Sequence, residues 1–193
     1  MRHQGTRELL IQKAIDLFYE SSYLKTPIRK ITESLQVENT IIYYYFKSKD
    51  ELLFSIINGI TDELINTLED IAERLDDPLE RLRQMIYAHI VILKKRKKEV
   101  KIFVEDTDKL PEELLKKIKG KQSKIYEIYS HQFKRLLRTQ RIKEYEIPVI
   151  IFSLFAMINW TYRWFREGGG LTIEDVANRT IQIFFHGILQ EEE

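Results

Sequence analysis

An all-α fold is predicted for this chain: a small N-terminal head of three helices, a stiff linker helix, and a larger helical body. Three observations carry the prediction. Glycine is scarce, with 7 among 193 residues. Strand-like alternation of apolar and polar residues is missing. Turn signals fall only at long intervals, so the segments between them are long enough for helices.

The elements follow in order. The opening MRHQGTRELLIQKA turns amphipathic at once and has no apolar h-region, so no signal peptide is expected. Thr26 suits an N-cap and Pro27 a first helical position, where a missing N–H costs nothing. Ile28, Ile31 and Leu35 then form an apolar stripe about two turns long. After Gln36 and Val37, a second short helix carries Ile42, Tyr45 and Phe46 inward and Asn39, Thr40, Tyr43 and Tyr44 outward. Ser48-Lys-Asp-Glu51 is a capping box that starts the linker helix. Two short helices, a tight turn and a third helix are the layout of a helix-turn-helix head, whose outward face enters a DNA major groove. The layout therefore divides the chain into a DNA-binding head, 1–47, and a larger helical body, 48–193.

Further along, Asp76-Asp77-Pro78 ends the linker helix, and Leu110-Pro111-Glu112-Glu113 opens a long helix with acidic residues in its first turn. Glu146 to Pro148 marks another start and Gly168-Gly169-Gly170 a stop. Thr172 caps the last helix, with Asp175 three positions on.

At the head the chain resembles the TetR family of transcriptional regulators. Ile11, Ala14, Leu17 and Phe18 match the family's apolar first helix, and Tyr23, Thr26 and Ile28 match its connection to the second. The signature V-x-x-x-x-[LI]-Y-x-[YH]-F-x-[SN]-K-x-x-L-L is filled in register by Val37, Ile42, Tyr43, Tyr45, Phe46, Ser48, Lys49, Leu52 and Leu53. Ser22 and Gln36 depart from it, standing where the family usually places glycine, and Glu38 stands where a Ser or Thr often caps the recognition helix. The resemblance implies a dimeric repressor that binds a palindromic operator and is released by a small molecule, with 48–193 as its ligand-binding and dimerisation domain. The DNA-facing set is then Thr26, Arg29, Asn39, Thr40, Tyr43, Tyr44, Lys47 and Lys49. Arg29, Lys47 and Lys49 are placed for phosphates, and the polar and aromatic residues of the recognition helix for base edges.

The body carries two further signals. From Pro148 to Ile158 the chain is apolar around the whole helix, which predicts burial on all sides. The last helix shows a strict 3/4 stripe. Pairing both helices with their copies gives a two-fold four-helix seam, for which Phe152, Trp164, Ile173, Val176, Ile181, Phe184 and Ile188 are the candidates. The other reading makes these helices the core of a single chain. The stretch containing Asn159, Trp160, Tyr162, Arg163, Trp164, Gly169, Leu171 and Glu174 resembles a TetR subgroup that regulates fatty-acid or steroid breakdown and senses acyl-CoA thioesters. A long acyl thioester needs an apolar tunnel and cations for the CoA phosphates. His89, Phe103, Tyr129, Phe133, Phe155, Asn159 and Trp160 are the candidate walls, with Arg163 and Arg166 as the cations. A multidrug-type apolar effector, or packing with no effector, fits the same residues.

Composition limits the alternatives. Net charge is only +1 with 32% charged residues, so DNA binding has to rest on local geometry. Cysteine is absent, which excludes disulfides and thiolate sites and fits the cytoplasm. The longest uncharged run, Ile147 to Tyr162, is too short to span a bilayer, so no membrane partner is expected. The four histidines lack metal-ligand spacing, and no nucleophile or phosphate-loop motif occurs. No enzyme, metal or cofactor is expected; the partners are operator DNA, a hydrophobic effector and a second copy. The lysine-rich run Lys94–Lys98 reads as a solvated helix end. A helical module that has lost operator binding is the competing function.

Overall fold

The computed structural model describes residues 2–139, 141–166 and 168–189. Nine α-helices account for most of them: α1 (Arg2–Ser21), α2 (Ile28–Ser34), α3 (Thr40–Tyr45), α4 (Lys49–Arg74), α5 (Pro78–Lys95), α6 (Lys97–Asp106), α7 (Glu112–Arg138), α8 (Ile147–Trp164) and α9 (Ile173–Ile188). A short 3-10 turn, Thr107–Lys109, joins α6 to α7. The only β pairing among the described residues is an isolated antiparallel bridge between Ile142 and Leu189.

The punctuation works as its chemistry requires. Pro78 starts α5, Glu112 and Glu113 lie in the first turn of α7, and Pro148 falls in the first turn of α8. Thr172 accepts from the Asp175 N–H at 3.1 Å while the Asp175 carboxylate accepts from the Thr172 N–H at 2.9 Å, closing a reciprocal cap on α9. The two departures from glycine have a visible consequence. Ser22 and Gln36 hold φ of +69° and +55°, the left-handed region where a Cβ is strained. Each follows a helix end in the head, so the reversals that glycine would make without strain are forced on side-chain-bearing residues.

The chain divides into two compact units, residues 1–62 with 96–120, and 63–95 with 121–193. Compactness therefore cuts the chain differently from the expected division at 47/48. In the first unit, Leu10, Ala14 and Phe18 of α1 pack with Ile31, Ile42, Phe46, Leu52 and Leu53, and the same core takes in Ile102, Leu110 and Ile118. Lys98 on α6 pairs with Asp16 at 2.6 Å, and the Lys101 ammonium donates to the Tyr19 carbonyl at 2.9 Å while lying over the Tyr19 ring. Part of the lysine-rich region thus fastens α6 to α1.

In the second unit α5 packs against α8 and α9. Its core holds Leu82, Met85, Ile86, Tyr129, Phe133, Ile151, Leu154, Ala177 and Phe185. Ile173, Val176, Ile181, Phe184 and Ile188 are buried here as well, within one chain. This corrects their assignment to a dimer seam: the stripe of α9 is consumed by its own unit. The prediction for α8 is corrected too. Ile150, Ile151, Leu154 and Ile158 face inward, but Val149, Phe152, Trp160 and Trp164 are exposed.

Candidate DNA-reading face and effector site

The head presents α3 as a short helix buried on one side. Ile42 and Phe46 are almost fully buried, while Tyr43 and Tyr44 are 57% and 71% exposed. Thr40 and Lys47 are also exposed. The linker helix starts as its sequence requires: the Glu51 N–H donates to the Ser48 hydroxyl at 3.1 Å, and the Glu51 carboxylate accepts from the Lys47 N–H. The reciprocal bond of the capping box therefore lands one residue earlier than expected.

Four of the candidate DNA contacts are already engaged within the chain. Thr26 is completely buried, and its hydroxyl lies 2.9 Å from the Ser22 carbonyl and 3.3 Å from that of Leu17. It neither caps α2, whose N-cap is Pro27, nor reaches DNA. Lys49 turns inward. Its ammonium donates to the Tyr23 carbonyl at 2.6 Å and stands 4.1 Å from the centre of the Tyr23 ring. Desolvation holds its pKa below the ordinary lysine value, as expected of an ammonium fastened into the turn rather than left in water. The Tyr23 hydroxyl donates to Asp50, and burial with that carboxylate pushes the phenol pKa far up. Asn39 accepts from the Thr32 hydroxyl through its amide oxygen, so one lone pair of that oxygen is already engaged. Arg29 stays exposed but shares its guanidinium with Glu33 at 2.6 Å.

The second unit gathers part of the predicted effector set. His89 Nδ1 lies 3.2 Å from the Tyr129 hydroxyl, which donates to the Met85 carbonyl at 3.3 Å. Phe155 meets both rings edge-on, at 5.3 Å from Tyr129 and 6.1 Å from His89. Phe133 stacks edge-on with Phe184. Burial alone lowers the His89 pKa to about 4, so the imidazole is neutral. A neutral histidine and a phenol inside an aromatic wall can orient one polar group of an otherwise apolar ligand.

The rest of the set is elsewhere. Phe103, on α6, packs against the head core. Asn159, Trp160, Arg163 and Arg166 are exposed on or just after α8, with the Arg163 guanidinium 5.8 Å from the centre of the Trp160 ring. Asn159 and Trp160 therefore do not line the interior.

Sequence reading missed Arg81, which is buried. Its guanidinium donates to the Leu75 carbonyl at 2.8 Å through Nε and to Gln132 Oε1 at 3.2 Å. The signal was available, because Arg81, Met85 and His89 recur every four residues on one face of α5.

This geometry agrees with the matches to known families. Residues 10–56 match the family described as bacterial regulatory proteins, tetR family, and residues 75–188 match the tetracyclin repressor-like C-terminal domain. The chain belongs to the TetR family. Its members are DNA-binding regulators, so the protein is a regulator and not an enzyme.

Among TetR relatives, the HTH-type transcriptional repressor KstR2 of Mycobacterium tuberculosis is 22% identical over 184 residues, covering 94% of this chain and 92% of its own. Its solved structure, described as a ketosteroid transcriptional regulator, superposes with a TM-score of 0.89 at 21% identity, covering 96% of both chains. A complex of AibR with isovaleryl coenzyme A and operator DNA superposes with a TM-score of 0.84 at 23% identity, covering 95% of this chain and 97% of the other. At such identities the likeness establishes the fold. No helix among the described residues is long and apolar enough to cross a membrane.

Proposed function

We propose that this TetR-family repressor works as a homodimer on a palindromic operator and is released by an acyl-CoA thioester. The observation that carries the effector reading is the hydrogen-bonded His89–Tyr129 pair set against Phe155 in the body's interior. An apolar acyl chain fits such aromatic surroundings. Arg163 and Arg166, exposed at the end of α8, are the candidates for the CoA phosphates. The AibR complex, with its coenzyme A ester and operator, supports the ligand class by analogy.

The dimer reading now rests on the outer face of α8. Val149, Phe152, Trp160 and Trp164, 49–62% exposed, lie along that helix, and Ile183 of α9 is 66% exposed. Exposed apolar side chains of this size along one helix face mark an association surface, and a second copy supplies the same face by two-fold symmetry.

Release requires the effector to favour the conformation that binds DNA poorly, and the coupling is reciprocal. Titrating the protein–operator complex with acyl-CoAs of graded chain length tests the reading. Release at micromolar acyl-CoA, and weaker action by free fatty acid, are expected. If no chain length releases DNA, the effector is not an acyl-CoA and the buried pair is a packing device.

A further inference from the structure

Between Ile28 and Glu51 the chain carries four carboxylates, and three of them are spoken for. Glu33 binds Arg29, Asp50 accepts from the Tyr23 hydroxyl, and Glu51 accepts from the Lys47 N–H. Glu38 differs. It is exposed immediately before Asn39, the N-cap of α3, and its carboxylate's one hydrogen bond among the described residues comes from the Thr40 hydroxyl, 3.3 Å from Oε2. Of the cations on the same stretch, Lys47 and Lys30 are exposed while two others are engaged. Lys49 is turned into the Tyr23 turn and Arg29 is shared with Glu33.

A carboxylate at the leading end of a recognition helix is repelled by every phosphate near it, whatever the base sequence. That cost is recovered only where a base offers it a donor. In the major groove the donors are cytosine N4 and adenine N6, and adenine sets its N7 lone pair beside N6. A group that can only accept is therefore matched by cytosine and mismatched by adenine. The neighbouring Asn39 already spends one lone pair of its amide oxygen on the Thr32 hydroxyl, which competes with the usual two-point contact to adenine.

We infer that Glu38 is a specificity-determining residue that requires a cytosine at one position of each operator half-site, with Thr40 holding Oε2 and leaving Oε1 for cytosine N4. The inference rests on the operator-binding reading above.

Selection of bound duplexes from a random library, followed by fluorescence anisotropy on the selected operator and on random DNA, tests it. Wild-type protein should enrich cytosine at that position. Glu38→Ala should abolish the enrichment there alone, weaken operator binding by about 5- to 150-fold, and tighten binding to random DNA. Glu38→Gln, which can pair with adenine in two places, should move the preference at that position towards adenine. Both variants alter an exposed side chain, and an unchanged melting temperature checks that they fold. If Glu38→Ala tightens both DNAs and leaves the selected sequence unchanged, Glu38 is only a repulsive bystander and the inference fails. If wild-type protein binds no duplex at all, the operator-binding reading fails first, and the inference with it.

Discussion

Burial of His89 makes acid stability the sharpest test of the body's interior. The imidazole titrates at about 4 in the folded chain and near 6.5 when exposed. Between these values the unfolded state binds a proton that the folded state does not. Stability is therefore complete above pH 6.5 and falls as pH drops through 6.5 towards 4. The whole shift corresponds to roughly 3 kcal/mol, of which about 2 kcal/mol is lost by pH 5. His89→Phe removes the titrating group, and the Tyr129 hydroxyl keeps its acceptor, the Met85 carbonyl. Urea unfolding of both proteins at pH 7.5 and pH 5, at one protein concentration, isolates the term, because the other titrating groups are common to both. The wild type should lose about 2 kcal/mol more than the variant over that interval. Parallel losses would show that His89 takes its proton without unfolding, and would refute a dry, neutral imidazole.

Three further outcomes are expected. Lys49→Ala should leave the salt dependence of operator binding unchanged, since this ammonium is bonded to the Tyr23 carbonyl, and should destabilise the protein by about 1–3 kcal/mol; a slope shallower by one unit would return Lys49 to the phosphate set. Gln36→Gly should relieve left-handed strain of roughly 1–2 kcal/mol at the cost of about 0.4–1 kcal/mol in unfolded-chain entropy, a small net gain in urea midpoint that Gln36→Ala should not reproduce. Trp160→Asp should yield monomer by light scattering with its helical circular dichroism intact, whereas Phe184→Asp, inside the core, should fail to fold.

Local chemistry made much of this structure readable in advance. Pro78, Pro148 and the Thr172–Asp175 cap fix helix starts through backbone rules that need no tertiary partner. Ser22 and Gln36 were readable as strained turns only because a glycine pattern existed to compare with them. What failed depended on distance along the chain. Thr26 has the residue type of a cap, yet its hydroxyl lies against the Leu17 carbonyl nine residues back. Lys49 and Tyr23 are 26 residues apart, and no spacing rule pairs them. Periodicity marked the stripe of α9 as buried without saying whether its own chain or a second copy covers it. Hydropathy likewise gave Phe103 a core but not which of two.

The interleaving of the two units bears on how the protein is made and how it can diverge. The chain crosses between them three times, within α4, between α5 and α6, and within α7. A nascent chain ending at residue 62 lacks Ile102, Leu110 and Ile118, all buried in the head's core. Until the chain is made through residue 120, the core that holds Phe18 and Leu53 lacks these three side chains. By the same logic, exchange of the head segment alone leaves α6 of the original chain against a new core. A recombination event at residue 47 or 62 transplants part of a core, and its product depends on how well a foreign α6 fills the gap. New operator preferences in this lineage should accordingly arise by substitution on α3 more readily than by exchange of whole heads.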